Sequence, residues 1–316
     1  RSGCVSRIWS FTKHSMRQSA GASWLARLTG LARWWILSKR FVVMFSGGIG
    51  SWAAARRVVD REGADKVTLL FTDVKGDSID PHVGEDEDTY RFIDDAVADL
   101  GCEYVRVADG RDIWQVFKDR RFLGNSRQAN CSHTLKQIPA KKWIKANTTP
   151  EDTTIVIGID WSETHRRPAI VKAYKPYEVE FPMCEKPFVS KEQMIDAARD
   201  RGLEPPRLYA LGFAHNNCGG GCVRSGQAQF RLLMEQMPER FDTWARKEQE
   251  VREYLGKDVT ILKEQRDKVR YNLSLEELGR RHRSEVDMLD IGGCGCFVDE
   301  SFTLGDLDQM DEEVSA

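Results

Sequence analysis

Four of the eight cysteines sit in two short glycine-rich stretches, Cys218-Gly219-Gly220-Gly221-Cys222 and Gly292-Gly293-Cys294-Gly295-Cys296. Thiolates separated by glycine suit a metal, because the backbone can wrap the ion closely and its N–H groups stay free to bond sulfur. Core packing is the weaker reading, since glycine flanks offer little apolar area to bury. Cys131 opens a third stretch, Cys131-Ser132-His133-Thr134-Leu135-Lys136-Gln137-Ile138-Pro139. Cys102 stands at a helix-to-strand turn and reads as structural.

A second chemistry is anion binding. Phe41-Val42-Val43-Met44-Phe45 reads as a buried parallel strand. Ser46-Gly47-Gly48-Ile49-Gly50-Ser51 is a tight turn, and the alanine-rich run after it reads as a helix. Strand, glycine turn and helix N-terminus together present backbone N–H groups to a phosphate. The loop lacks the Gly-Lys-Ser/Thr of a Walker A motif and the Gly-x-Gly-x-x-Gly of a dinucleotide fold. Lys136, Arg166 and Arg167 are cations able to make charge-assisted contacts with an anion. His133 and His165 are titratable, but a lone histidine in a loop is more often incidental.

These residues need a scaffold that brings them together. Val67–Thr72, Glu103–Val107 and Thr154–Gly158 read as further strands, separated by helical patterns at 90–100, 112–121 and 136–146. Pro139 suits a first-turn position in the last of these. Strands alternating with helices predict an α/β, Rossmann-like, open and mostly parallel sheet with helices on both faces. Ligands of such sheets sit beyond the carboxyl ends of the strands. Ser46, Asp73 and Gly158 all lie at such ends, which makes them candidates for nucleotide binding. From about residue 190 the chain turns charged and helical, notably over 226–256 and 274–283. That pattern divides it into a nucleotide-binding α/β region, 41–190, and a helical, cysteine-containing C-terminal region, 191–316, packed over the mouth of the sheet.

Composition narrows the class without naming it. The chain has 316 residues, is 41% hydrophobic and carries a net charge of −2. It can bury a sizeable core, and its overall charge does not advertise a polyanion partner. No apolar run is long enough for a membrane span. Unpaired cysteine usage of this kind suits a reducing compartment, so a cytoplasmic location is expected. Residues 1–40 are basic, with no Asp or Glu. They read as an N-terminal extension outside the compact fold, with a transit peptide or surface-lying helix as alternatives.

Taken in order, the motifs resemble the phosphoadenosine phosphosulfate reductase family of the adenine nucleotide α-hydrolase (PP-loop) superfamily. They are the Ser-Gly-Gly loop, the Cys131-to-Pro139 stretch, Gly158-Ile159-Asp160-Trp161-Ser162-Glu163-Thr164-His165-Arg166-Arg167, and the late Cys218/Cys222 pair. The similarity is greater still to reductase-like proteins of phages and to DNA phosphorothioation enzymes. Gly50 stands where the family loop has Asp, and Asp160 where many members have Arg. The Glu-Cys-Gly-(Ile/Leu)-His tail that supplies the nucleophile of true reductases is absent.

The resemblance implies ATP or another adenine nucleotide, bound with Mg²⁺ at Ser46, Gly47, Gly48, Gly50, Ser51, Asp73 and Gly158, with Lys136 and Arg166 catalytic. It implies a [4Fe–4S] cluster on four of Cys131, Cys218, Cys222, Cys294 and Cys296, with Cys184 an outside candidate and Zn²⁺ as the alternative. The reaction expected is cleavage of ATP to AMP and pyrophosphate, activating an acceptor for sulfur transfer. A sulfur donor and a nucleic-acid acceptor are the further partners implied. Two other readings follow: a sulfonucleotide reductase with an atypical nucleophile, and a non-catalytic nucleotide- or cluster-binding module.

Overall fold

Successive side chains of a strand point to opposite faces, and the first strand shows how the fold uses this. In the computed structural model, which describes residues 39–125, 128–290, 292, 303–304 and 306–307, β1 spans Arg40–Met44. Phe41 and Val43 join one apolar cluster, and Val42 and Met44 join another. The chain continues through α1 (Ile49–Glu62), β2 (Val67–Asp73), α2 (Glu87–Leu100), β3 (Glu103–Ala108) and α3 (Ile113–Asp119). A π-helical turn, Ser132–Gln137, leads into α4 (Ile138–Asn147). β4 (Thr153–Val156), α5 (Arg167–Ala173), β5 (Glu178–Glu180) and α6 (Lys191–Asp200) follow.

The five strands form one sheet in the order β3-β2-β1-β4-β5, and every neighbouring pair is parallel. Val58 of α1, Phe92 of α2 and Ala198 of α6 pack with Phe41, Val43 and Leu69 on one face. Ile144 of α4 and Ile170 of α5 pack with Val42, Leu70 and Ile155 on the other. Each fully buried Val, Leu, Ile or Phe contributes roughly 1.5–3 kcal/mol. The α/β sheet with helices on both faces is therefore as expected. Its order reverses at β1, whose neighbours are β2 on one side and β4 on the other, and the carboxyl ends of β1 and β4 flank the crevice where ligands of such sheets bind.

Beyond α6 come α7 (Arg207–Ala210), α8 (Gln227–Gln236), α9 (Pro238–Leu255), β6 (Leu262–Arg266), β7 (Val269–Leu273) and α10 (Leu275–Arg280). These pack on α3: the Trp114 and Trp244 rings meet edge to face at 5.0 Å, within a cluster holding Phe117, Phe230 and Phe241. The stretch 226–256 is two helices, because Pro238 has no N–H to continue α8 and instead starts α9. The antiparallel hairpin β6–β7 is a strand pair within the region expected to be mainly helical. Glu248 of α9 holds the hairpin in place, accepting from Ile261 N at 2.8 Å and Leu275 N at 2.7 Å.

No helix among the described residues is long and apolar enough to cross a membrane. The described residues belong to one compact unit, Leu37–Ala316. The other unit, Arg1–Ile36, and with it the basic extension, lies outside the described residues.

Candidate functional site

The loop after β1 is shaped by glycine at two places. Gly47 has φ +73°, and a Cβ there would lie 2.8 Å from Thr89 Cγ2, so only glycine fits. Gly50 faces Gly158: a Cβ on Gly50 would lie 2.9 Å from the Gly158 carbonyl, and one on Gly158 2.8 Å from Ser51 Cα. The ends of β1 and β4 thus close on each other backbone to backbone. Ser51 ties the turn, its Oγ donating to Gly48 O at 2.8 Å and accepting from Ser46 N at 3.2 Å. Gly48 is the N-cap of α1 and no side chain caps it; the first turn carries no acidic residue. The positive end of the helix dipole therefore meets no carboxylate from its own first turn, as an anion site requires.

Two residues from the C-terminal region reach this loop. Tyr209 OH accepts from Ile49 N at 3.1 Å. The buried Asn216 donates its amide to Gly47 O at 3.0 Å, and its own carbonyl accepts from Thr89 Oγ1 at 3.2 Å. Arg166 pairs with Glu163. Burial first, then Lys191 and Arg166, hold the His215 pKa below its ordinary value. Arg167 stacks over the Phe181 ring at 5.0 Å, and His165 is exposed.

Asp73 ends β2 as expected, but its oxygens are engaged by the protein. Oδ2 pairs with Arg106, and Oδ1 accepts from Tyr90 OH at 2.8 Å and Lys75 N at 3.0 Å. Burial works against the carboxylate most, yet Arg106, Lys75 N and Tyr90 together outweigh it and hold the pKa below the usual range. Asp160 caps the turn after β4, accepting from Ser162 N at 2.8 Å.

The cysteines converge on a second place. Cys131, Cys218 and Cys222 line one small cavity together with Lys136, Ser132 and Arg224. Lys136 is carried there by the π-helical turn, an irregularity common at functional sites. Its Nζ donates to Glu85 Oε1 at 3.1 Å with both side chains almost wholly buried, and Glu85 Oε2 accepts from Cys218 N. A hydrogen bond with Cys222 and burial push the Cys218 thiol well up, against the pull of the Lys136 ammonium. Two donors here have no hydrogen-bond partner among the described residues, Arg224 Nε and Ser132 Oγ. Buried donors left open beside soft thiols fit an anionic thiolate-held group.

Cys294 and Cys296 lie outside the described residues. Gly292, two positions before Cys294, pairs with Ser225, and Ser225 N donates back to Cys222 O at 2.9 Å. Among the described residues alone, no group of three or more His, Cys, Asp or Glu side chains is disposed to hold a metal ion. Cys184 bonds instead to the Ile159 and Asp160 carbonyls, at 3.4 and 3.3 Å.

A buried charge cluster braces the two places. Asp86 caps α2 and receives a two-armed contact from Arg207, at 2.8 Å on each oxygen. Arg240, from α9, lies 3.6 Å from Asp86 and donates to the Pro81, His82 and Gly84 carbonyls. It also fills the space a Cβ on Gly219 would need. The acidic loop after β2 is thereby fastened to the cysteine loop. Sequence reasoning missed Glu85, Asn216, Tyr209, Arg224 and Arg240. For Asn216 a signal existed, since it lies inside the glycine- and cysteine-rich stretch; the others carry no local mark.

No protein-family model matches the sequence, and no curated protein matches it. A solved structure described as phosphoadenylyl-sulfate (PAPS) reductase from Candida auris, phosphate complex, is similar to this chain at 13% identity and a TM-score of 0.38, covering 57% of this chain and 82% of that one. What the chain does is therefore read from its own residues.

Proposed function

We propose that the chain binds an adenine nucleotide at Ser46–Ser51 and, with ATP, activates an acceptor for sulfur transfer. The observation that carries this reading is the glycine loop on an uncapped helix N-terminus at the point where the sheet order reverses. The acceptor's oxygen attacks the α-phosphorus, the bond to the β-phosphate breaks, and pyrophosphate leaves with the electron pair. A sulfur nucleophile from a donor then displaces AMP. Backbone N–H groups of the loop and the Arg166 guanidinium stabilise the charge that builds on phosphate oxygens. Gly50 offers Mg²⁺ no carboxylate, and Gly158 leaves no room for one. The ion would rest on the nucleotide's own phosphates and water, and no step is assigned to it.

Cys131, Cys218, Cys222 and one of Cys294 and Cys296 would hold a [4Fe–4S] cluster, with Zn²⁺ the alternative on the same thiolates. Lys136, Arg224 and the Cys218 loop supply compensating positive charge and donors. When bound, the cluster would hold sulfur or pass electrons. A nucleic acid is the acceptor class proposed.

Gly50 favours one further reading, a nucleotide-binding module without turnover, because the loop lacks any side-chain carboxylate. Pyrophosphate release from ATP with candidate acceptors decides between the two. Release supports the enzyme, binding without release supports the module, and absence of nucleotide binding overturns both.

A further inference from the structure

A cavity of about 270 Å³ opens in the C-terminal region between the loop 212–217 and α8. That is at the small end of ligand pockets, which run ~300–1,000 Å³, and it suits a single ring system. Phe213, Leu232 and Met288 form apolar walls, and His215, Asn217 and Gln229 supply polar edges. The cavity differs in charge from the glycine loop. Among the described residues no Lys or Arg lines it, and the charged lining residue, Glu235, is engaged by Arg231 at 2.9 Å. Gln229 is anchored through Nε2 to the Gly220 carbonyl at 2.8 Å, which leaves its carbonyl oxygen to accept. Burial first, then Lys191 and Arg166, hold the His215 pKa below its ordinary value, and a neutral imidazole carries one donor and one acceptor nitrogen.

Position adds to composition. Asn216 bonds Gly47 of the phosphate loop while the next residue, Asn217, lines this cavity. Cys222 lines both this cavity and the thiol cavity. The three sites are strung along one loop, 212–222.

We propose that this cavity is a second ligand site, taking an uncharged nucleobase whose faces pack on Phe213, Leu232 and Met288 and whose edge is read by Gln229 and His215. The site deepens the reading of the chain as an acceptor-activating enzyme and rests on it for its purpose, but its occupancy can be measured alone.

The experiment is titration of the full chain with cytidine, uridine, adenosine and guanosine, and with a short single-stranded oligonucleotide of the preferred base, alongside a separate ATP titration. Wild type is expected to bind at least one nucleoside saturably. Leu232→Trp, which fills the cavity, should weaken that binding at least about tenfold and leave ATP affinity within about twofold. Gln229→Leu, milder for folding, should weaken it several-fold and change which base is preferred. An oligonucleotide binding much more tightly than its nucleoside supports the site with a strand as the source of the base, and equal affinity supports it with a free nucleoside. No binding of any nucleoside or oligonucleotide by wild type, or binding unchanged in both variants, overturns the proposal. ATP binding without nucleoside binding sinks this site alone; nucleoside binding without ATP binding sinks the activation reading alone.

Discussion

The Asn216 amide donates to the Gly47 carbonyl at 3.0 Å, joining the cysteine loop to the phosphate loop across 169 positions of chain. Both partners are buried. The contact makes the loop's shape depend on the C-terminal region as well as on its own glycines. Asn216→Ala should cost about 1–3 kcal/mol, because it leaves the Gly47 carbonyl and Thr89 hydroxyl without that partner. Denaturant unfolding reads the stability, and nucleotide affinity should fall with it. Unchanged affinity would detach the two loops from each other.

Gly50→Asp introduces the residue type of the loop that the sequence resembles and should nevertheless fail to create turnover. The new Cβ would lie 2.9 Å from the Gly158 carbonyl, an overpacking that costs about 1–3 kcal/mol. Thermal unfolding should show the loss, and pyrophosphate release should not rise. A stable variant with increased release would contradict the close packing of β1 and β4.

How far was this legible beforehand? The sheet was, because buried parallel strands read as short apolar runs and their carboxyl ends carry Ser46, Asp73 and Gly158. The hairpin Leu262–Leu273 was not. Charges occupy both of its faces, and its turn uses Asp267 and Lys268 at positive φ in place of the glycine that marks such turns. Cys131, Cys218 and Cys222 line one cavity, a meeting of loops far apart in sequence that no local pattern marks. Glu85 and Arg240 were invisible because a buried charge is defined by partners far away in sequence. Asp73 was legible as a strand end, but its engagement by Arg106 and Tyr90 depends on β3 and α2 lying alongside.

The Lys136–Glu85 pair sets a third expectation. Both side chains are almost fully buried, so Lys136→Met alone should cost about 3–5 kcal/mol by leaving a buried carboxylate without its counter-charge. Lys136→Met with Glu85→Gln should recover part of that loss. Equilibrium unfolding of the two variants checks the order; a double variant no more stable than the single would contradict it.

Acid should weaken the fold partly through Asp73. Its pKa is depressed in the folded state, so its contribution is fully present above the unfolded value of 3.8 and is lost as pH falls through the lower folded value. Asp73→Asn should lower stability at neutral pH and flatten the acid limb of the stability–pH curve. An acid limb of unchanged slope would remove Asp73 from the account.

The most direct test of the central claim is ATP binding measured by calorimetry for wild type and Gly48→Asp. Gly48 is an N-cap with extended backbone and no side-chain cap, where Asp is a favoured residue. The substitution should preserve or raise stability once the Tyr209 hydroxyl, 3.1 Å from the new Cβ, shifts slightly. Its carboxylate would nonetheless occupy the phosphate seat. The account predicts saturable ATP binding by wild type, weakened at least about tenfold in folded Gly48→Asp. No ATP binding by wild type, or equal binding by the variant, would contradict it.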